Sequence, residues 1–262
     1  MANILDTIIE FKKQEIANAT VSLQELENSA FYKRRTLSLK QFLLDGSRTG
    51  IIAEFKRRSP SKGIFNAGAR PGDITRAYTE GGASGLSVLT DEKFFGGSSE
   101  DLKKARENEI PILRKDFIID EYQISEAKSI GADVILLIAA CLTPARVADL
   151  AAFAKKIGLE VLLEIHDDTE LQHICEDVDI VGVNNRDLKT FTVDVGRSID
   201  LATKIPDNKL KISESGISTV NTILLLKEHG YNGFLIGETF MKEPNPAIAF
   251  ARFVNELKIG KL

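Results

Sequence analysis

The chain of 262 residues carries a formal charge of −4, with 43% hydrophobic and 27% charged residues. This ordinary globular balance supplies enough apolar material for a domain-sized core without help from metals or disulfides. It lacks the basic footprint of a nucleic-acid binder, and no apolar run is long enough to span a bilayer.

The start, MANILDTIIEFKKQEI, mixes acids and bases into its apolar pattern, unlike the uninterrupted apolar stretch of a signal peptide. Ile4, Ile8, Ile9 and Phe11 fall at helical spacing, as do Leu39, Phe42 and Leu43. The spacing predicts extra helices that cover the bottom or the rim of whatever follows. Cys141 and Cys175 sit among apolar residues and read as free thiols of a reducing compartment, hence a cytoplasmic protein.

From about residue 50, short β-branched runs alternate with longer amphipathic stretches. The runs are IIAEFK, GLSVLT, IPILRK, ADVILLIA, LEVLLEI, DIVGVNN, LKISES and GFLIG. Between them lie stretches such as SEDLKKAREN, DEYQISEAKSIG and TPARVADLAAFAKKIG. Several open with Asp, Ser or Thr and close with Gly, which caps a helix at both ends. Eight such units imply parallel strands, right-handed crossovers and strands buried on both faces. An open doubly wound sheet would use the same alternation. The count of eight and the polar residues at the C-terminal strand ends favour closure, and no GxGxxG follows the first strand. The predicted architecture is α/β: a single-domain (β/α)8 TIM barrel over residues 50–258, with an N-terminal helical extension over 1–46.

In this fold, chemistry sits where strands end. The first strand ends Glu54-Phe55-Lys56. Glu54 and Lys56 lie two apart and both face the mouth. Burying them is costly unless they pair or act, and a strand-end salt bridge is the plain alternative. Ser59 belongs to the following RRSPSKG segment, which is a cover or simply a turn. The third strand sets Lys115 on the face of Leu113 and Phe117. Desolvation and a nearby cation such as Lys56 would lower its pKa and make it a general acid near neutral pH. Arg114 better suits a solvated strand end. Glu164 ends an apolar run in the fifth strand and is a candidate general acid or base. His166 reads as a loop or supporting residue, and the three histidines lack ligand spacing, so no metal site is expected.

Asn184 and Arg186, at the end of the sixth strand, suit hydrogen bonds to hydroxyls and to a carboxylate. Asn185 fits a polar turn in the left-handed region. The seventh strand ends Glu214-Ser215-Gly216 and the eighth Leu235-Ile236-Gly237-Glu238. Glycines there let backbone N–H groups close on an anion, as the loops after strands seven and eight of this fold often do.

Taken in order, AEFKRRSPSKG, SVLTDEKFFGG, PILRKDFIID, EVLLEIHD, GVNNRDLKTF, SESGI and FLIGETFM give the chain a resemblance to indole-3-glycerol phosphate synthase of tryptophan biosynthesis. The resemblance spans essentially the whole chain. It implies ring closure, decarboxylation and dehydration of 1-(2-carboxyphenylamino)-1-deoxyribulose 5-phosphate, without cofactor or metal. By resemblance, Lys115 is the general acid at the ribulose carbonyl and Glu164 serves the later dehydration. Lys56 lies near the substrate's anionic groups, phosphate included. Glu54, Asn184, Glu214 and Ser215 complete the polar ring. Ser59, Arg186, Leu188 and Leu235 contact substrate, and Phe117 walls the anthranilate ring. The phosphate rests near Gly216, Gly237 and the backbone of Glu238. The absence of Trp is consistent with an enzyme made when tryptophan is scarce.

Two other readings fit parts of the pattern. A sugar-phosphate isomerase or aldolase would share the barrel, and an aldolase would use one lysine as a Schiff-base nucleophile. A non-enzymatic metabolite-binding barrel would have no reason to gather Glu54, Lys56, Lys115, Glu164 and Glu214. The expected partner is a small phosphorylated metabolite, with no nucleic acid and no membrane, for a monomer or weak homodimer.

Overall fold

A computed structural model describes residues 4–60, 62–187 and 190–260. Leu188, expected to touch substrate, and Ser61 of the first loop lie outside the described residues. Eight parallel strands close into a barrel: β1 (Ile51–Phe55), β2 (Gly85–Leu89), β3 (Ile112–Lys115), β4 (Val134–Ile138), β5 (Glu160–Ile165), β6 (Ile180–Asn184), β7 (Leu210–Glu214) and β8 (Gly233–Ile236). Each strand pairs with its sequence neighbours, and β8 pairs with β1. This is the predicted closed TIM barrel, and the predicted N-terminal helix is present.

The helices are α1 (Ile4–Ala17), α2 (Leu23–Asn28), α3 (Leu39–Leu44), α4 (Pro71–Glu80), α5 (Ser99–Ala105), α6 (Glu121–Ser129), α7 (Pro144–Lys156), α8 (Gly196–Leu201), α9 (Val220–Glu228), α10 (Glu238–Met241) and α11 (Pro246–Ile259). Their starts follow from side-chain caps. Ser98 accepts from Asp101 N, Thr143 from Arg146 N, Thr219 from Thr222 N and Asn245 from Ile248 N. Pro144 and Pro246 occupy first-turn positions, where no N–H is needed. The crossover after β5 departs from the pattern: it holds only a 3₁₀ helix, Asp168–His173, capped by Asp167.

Two apolar layers result from the period of two along each strand. Ile51, Ala53, Phe55, Val161 and Leu163 pack outward against the helices. Ile52, Leu113, Leu136, Leu162, Ile212 and Leu235 fill the barrel. Leu39 and Leu43 of α3 plug its lower end and belong to that inner cluster. Two strand-start glycines make room for the plug. A Cβ on Gly85 would stand 2.6 Å from Leu39 Cδ1, and one on Gly233 3.0 Å from Leu43 Cδ2.

Helix α1 lies at the opposite end, and an ion cluster anchors it there. Lys12 is 3% exposed. Its Nζ stands 2.9 Å from Asp91 and 3.0 Å from Asp116, at the ends of β2 and β3, and 2.8 Å from Glu15. Burial works against the ammonium, but Asp116 and Asp91 outweigh it and raise the pKa. Removing one partner of such a cluster strands the other charges in a poor solvent. Lys12→Met should therefore cost about 3 kcal/mol in urea unfolding. Hydrogen exchange along α1 should accelerate before the barrel amides respond.

Candidate active site

The C-terminal ends of the strands enclose a cavity of about 570 Å³, a size suited to a small metabolite. Its wall includes Glu54, Lys56, Ser59, Lys115, Phe117, Glu164, Asn184, Arg186, Glu214, Ser215, Gly216, Leu235, Gly237 and Glu238. Every described residue singled out for the site thus reaches one space. Ile4, Leu5 and Ile8 of α1 roof it, and Phe95 stands beside Phe117 with ring centroids 6.0 Å apart. The segment after β1 forms a short antiparallel hairpin, Arg58–Ser59 against Gly63–Ile64, at the rim.

Register brings the charges together. Glu54 and Lys56 pair at 2.7 Å. Lys115 Nζ donates to Glu164 Oε2 at 2.7 Å and to Glu214 Oε2 at 3.1 Å. Asn184, opposite Glu214 in the β6–β7 register, donates to Glu164 Oε1 at 3.1 Å. Arg186 reaches Glu238 at 3.1 Å across the rim. Two glycines again make the space. A Cβ on Gly182 would lie 2.3 Å from Glu214 Oε1, and one on Gly237 2.4 Å from Glu54 Oε1. Ser215, with φ 67°, is held in the left-handed region, and Gly216 follows with φ 75°. That pair turns the chain sharply off β7, and holding a serine there costs about 1 kcal/mol or more.

The protonation states follow from this crowding. Lys115 was expected to have a lowered pKa; the structure reverses that. Burial does oppose its charge, but Glu164, Glu214 and Glu54 together raise its pKa well above the ordinary value. Lys56, the cation expected to depress it, is engaged with Glu54. Burial likewise opposes the charge of Glu164, yet Lys115, His166 and Asn184 hold its carboxyl below the usual range. Glu214 goes the other way. Burial and the neighbouring carboxylates Glu164 and Glu54 push it up to about 7, against the pull of Lys115. The asymmetry is reasonable: three carboxylates, Glu54, Glu164 and Glu214, share two ammonium groups, so one of them favours a proton. Among the described residues Glu214 Oε1 has no hydrogen-bond partner, which leaves room for that proton.

A stability prediction follows. The ordinary carboxyl value is 4.5 and the folded value about 7, so across that window the unfolded chain ionises before the folded one. The native state loses stability as pH rises through the window and keeps the deficit above it. Glu214→Gln, which mimics the neutral acid, should raise the melting temperature at pH 8 and change it little at pH 4.

Two neighbouring residues depart from expectation. Arg114 is no solvated strand end but 5% exposed. It faces outward beneath α6, where Asp116, Glu126, Thr90 and the Gln123 carbonyl satisfy its guanidinium. Asn185 is no left-handed turn residue. It is fully buried, and its side chain ties β6 to Ser213, Ser215 and Ser198.

A closed TIM barrel that gathers paired lysines and glutamates under a helical roof, with glycines at the strand ends beside them, has the build of a small-molecule enzyme. Comparison with known proteins resolves which. The sequence model of indole-3-glycerol phosphate synthase matches residues 5–253. The indole-3-glycerol phosphate synthase of Bacteroides thetaiotaomicron is 47% identical over 261 residues, covering 98% of this chain and 100% of that protein. That of a Polaromonas species is 42% identical over 259 residues, covering 96% and 98%. The chain belongs to the indole-3-glycerol phosphate synthase family. Solved structures add the fold alone. The 3-hexulose-6-phosphate synthase of Salmonella typhimurium superposes with a TM-score of 0.63 at 14% identity, over 80% of this chain and 98% of that one. A tryptophan synthase α-subunit mutant from Pyrococcus furiosus gives 0.62 at 15%, over 81% and 98%.

Proposed function

We propose that this carboxy-lyase of tryptophan biosynthesis converts 1-(2-carboxyphenylamino)-1-deoxyribulose 5-phosphate to indole-3-glycerol phosphate, carbon dioxide and water through Lys115 and Glu164. The observation that carries the assignment is the 2.7 Å contact between these two groups inside one cavity. Attack by the electron-rich arene on the ketone needs a proton donor at oxygen. Lys115 is a permanent ammonium at neutral pH, and it passes its proton as the carbonyl oxygen gains negative charge in bond formation. Loss of carbon dioxide follows from a carboxylate held in a cavity walled by Phe117, Leu136 and Ile138. Dehydration then needs a proton removed and a hydroxyl protonated, for which Glu164 is placed.

The supporting residues divide by geometry. Lys56 and Arg186 supply positive charge for the carboxylate and phosphate. Asn184 orients Glu164. Glu214, as a neutral acid, offers a hydrogen bond to a hydroxyl, and Glu54 fixes Lys56. Ser59, Ser215 and Leu235 contact substrate, and the phosphate rests on backbone N–H groups near Gly216, Gly237 and Glu238. The first N–H groups of α10 have no partners within the helix, which suits an anion. The same reading makes the chain a cytoplasmic monomer or weak homodimer that takes no nucleic acid. No described helix is long and apolar enough to cross a membrane.

The test is direct. Purified protein and the carboxyphenylamino substrate should produce indole fluorescence against a background free of Trp emission. Borohydride should trap no lysine adduct, whereas an aldolase would be inactivated. Folded protein without an indole signal overturns the reading.

A further inference from the structure

Behind Glu164 stand an imidazole and a second carboxylate that this scheme leaves unused. His166 lies two residues beyond Glu164, is 8% exposed and follows the strand's alternation onto the same side. Glu170, from the 3₁₀ helix, closes on it. Its Oε2 accepts from the His166 backbone N–H at 2.6 Å and faces ring Nδ1 at 3.2 Å. On the opposite edge of the ring, Nε2 stands 3.4 Å from Glu164 Oε1. This nitrogen is buried and has no hydrogen-bond partner among the described residues. The short helix that carries Glu170 is itself pinned. The ring nitrogens of His173 stand 3.0 Å from the Glu170 and Leu142 carbonyls.

A neutral imidazole has one N–H and one lone pair. The imidazolium bonds Glu170 through Nδ1 and sets its positive charge 3.4 Å from Glu164 Oε1, whereas a neutral ring with its lone pair on Nε2 would turn that lone pair toward an anionic oxygen.

We propose that Glu170 and His166 form a cationic buttress: the imidazolium positions Glu164 and keeps it ionised when Lys115 turns to the substrate. This rests on the acid–base role of Glu164 given above. Lys115 is shared between Glu164, Glu214 and the incoming ketone, so Glu164 loses its closest cation at the moment it must act as a base. A second cation on Oε1 covers that interval. His166 acts through Glu164 and is a positioning residue.

The groups facing His166 are Glu164 on β5, Glu170 on the 3₁₀ helix, Arg197 on α8 and Asp167 beside it in the chain. Cys141, after β4, sits in the field of both Glu164 and Glu170. Burial and Arg197 oppose the imidazolium, and the two carboxylates outweigh them, so the pKa is raised above 6.5. A histidine with a raised folded pKa keeps its charge below that value and loses it as pH rises through it, so the buttress is charged in acid solution.

The test uses the full chain and its His166→Gln and Glu170→Gln variants. Gln at position 166 stays polar but carries no charge. The acid limb of the kcat–pH profile should move up by about one pH unit in His166→Gln. In Glu170→Gln it should move the same way by less. A uniform fall in kcat, or a change confined to KM, with the acid limb unmoved, overturns the proposal. Nitrogen-15 spectra read the ring without turnover, and with three histidines the His166 signals are assigned by their loss in His166→Gln. Both ring nitrogens should be protonated at pH 6, and the titration midpoint should fall in Glu170→Gln. A neutral ring at pH 6 overturns the buttress even if the variants do not fold. Failure of the underlying reading looks different: it would be retained turnover in Glu164→Gln.

Discussion

Lys115→Met is expected to lower kcat by about 10³-fold while leaving substrate affinity within a few-fold, because a positioned proton donor contributes on that scale. The reason lies in what the ammonium alone can do. Among the described residues it is the one group bonded to both Glu164 and Glu214. In the proposed mechanism it neutralises an oxygen that becomes basic only as the new carbon–carbon bond forms. The proposed ground-state contacts to phosphate and carboxylate come from other residues, so binding is expected to survive. Methionine keeps the length of the side chain and removes the charge. Glu164 and Glu214 then face each other without a shared cation, so one of them should take up a proton and the fold should persist. Equilibrium binding of a reduced substrate analogue, set beside steady-state kcat, checks both halves. A variant that loses binding and turnover together would place Lys115 in substrate capture instead.

Glu164→Gln is expected to stop the reaction later. In the proposed scheme ring closure calls on Lys115, whereas dehydration needs a group that can take and return a proton, which an amide cannot do. The loss in kcat should be about 10²- to 10³-fold. In a single turnover, carbon dioxide should be released well before indole absorbance appears. Equal and simultaneous slowing of both signals would assign Glu164 to the first step. The amide has one oxygen left to accept from Lys115 or Asn184, and Lys115 keeps its contact to Glu214, so the fold is expected to persist.

That these residues line one cavity was largely legible in the sequence because strand geometry has a period of two. Glu54 with Lys56, and Asn184 with Arg186, share a face whatever the tertiary detail, and strand ends in this fold open on one cavity. What the sequence does not carry is which charges meet. Lys115 bonds to carboxylates 49 and 99 residues away, and their convergence reversed the expected direction of its pKa. Arg114 looked like a solvated end because Glu126, which covers it, lies on the next helix.

The extension hid its role in a similar way. In EFKKQEI, Lys12 and Lys13 look alike, yet one is buried among aspartates and the other is exposed. The apolar stripe of α1 announced a covered face, but not that Ile4, Leu5 and Ile8 cover the cavity at the strand ends. Glycines were legible only as permissive positions. That Gly182 is required by Glu214, and Gly237 by Glu54, depends on distances across the barrel.

The arrangement of donor, base and anion cradle around one bound molecule is tested most directly by a crystal structure of Lys115→Met with the carboxyphenylamino substrate. The account predicts phosphate on the backbone between β7 and β8 and the anthranilate ring against Phe117. The ribulose carbonyl oxygen should sit about 3 Å from where the ammonium stood. A substrate bound with its phosphate elsewhere, or with that oxygen turned away from both position 115 and Glu164, would contradict it.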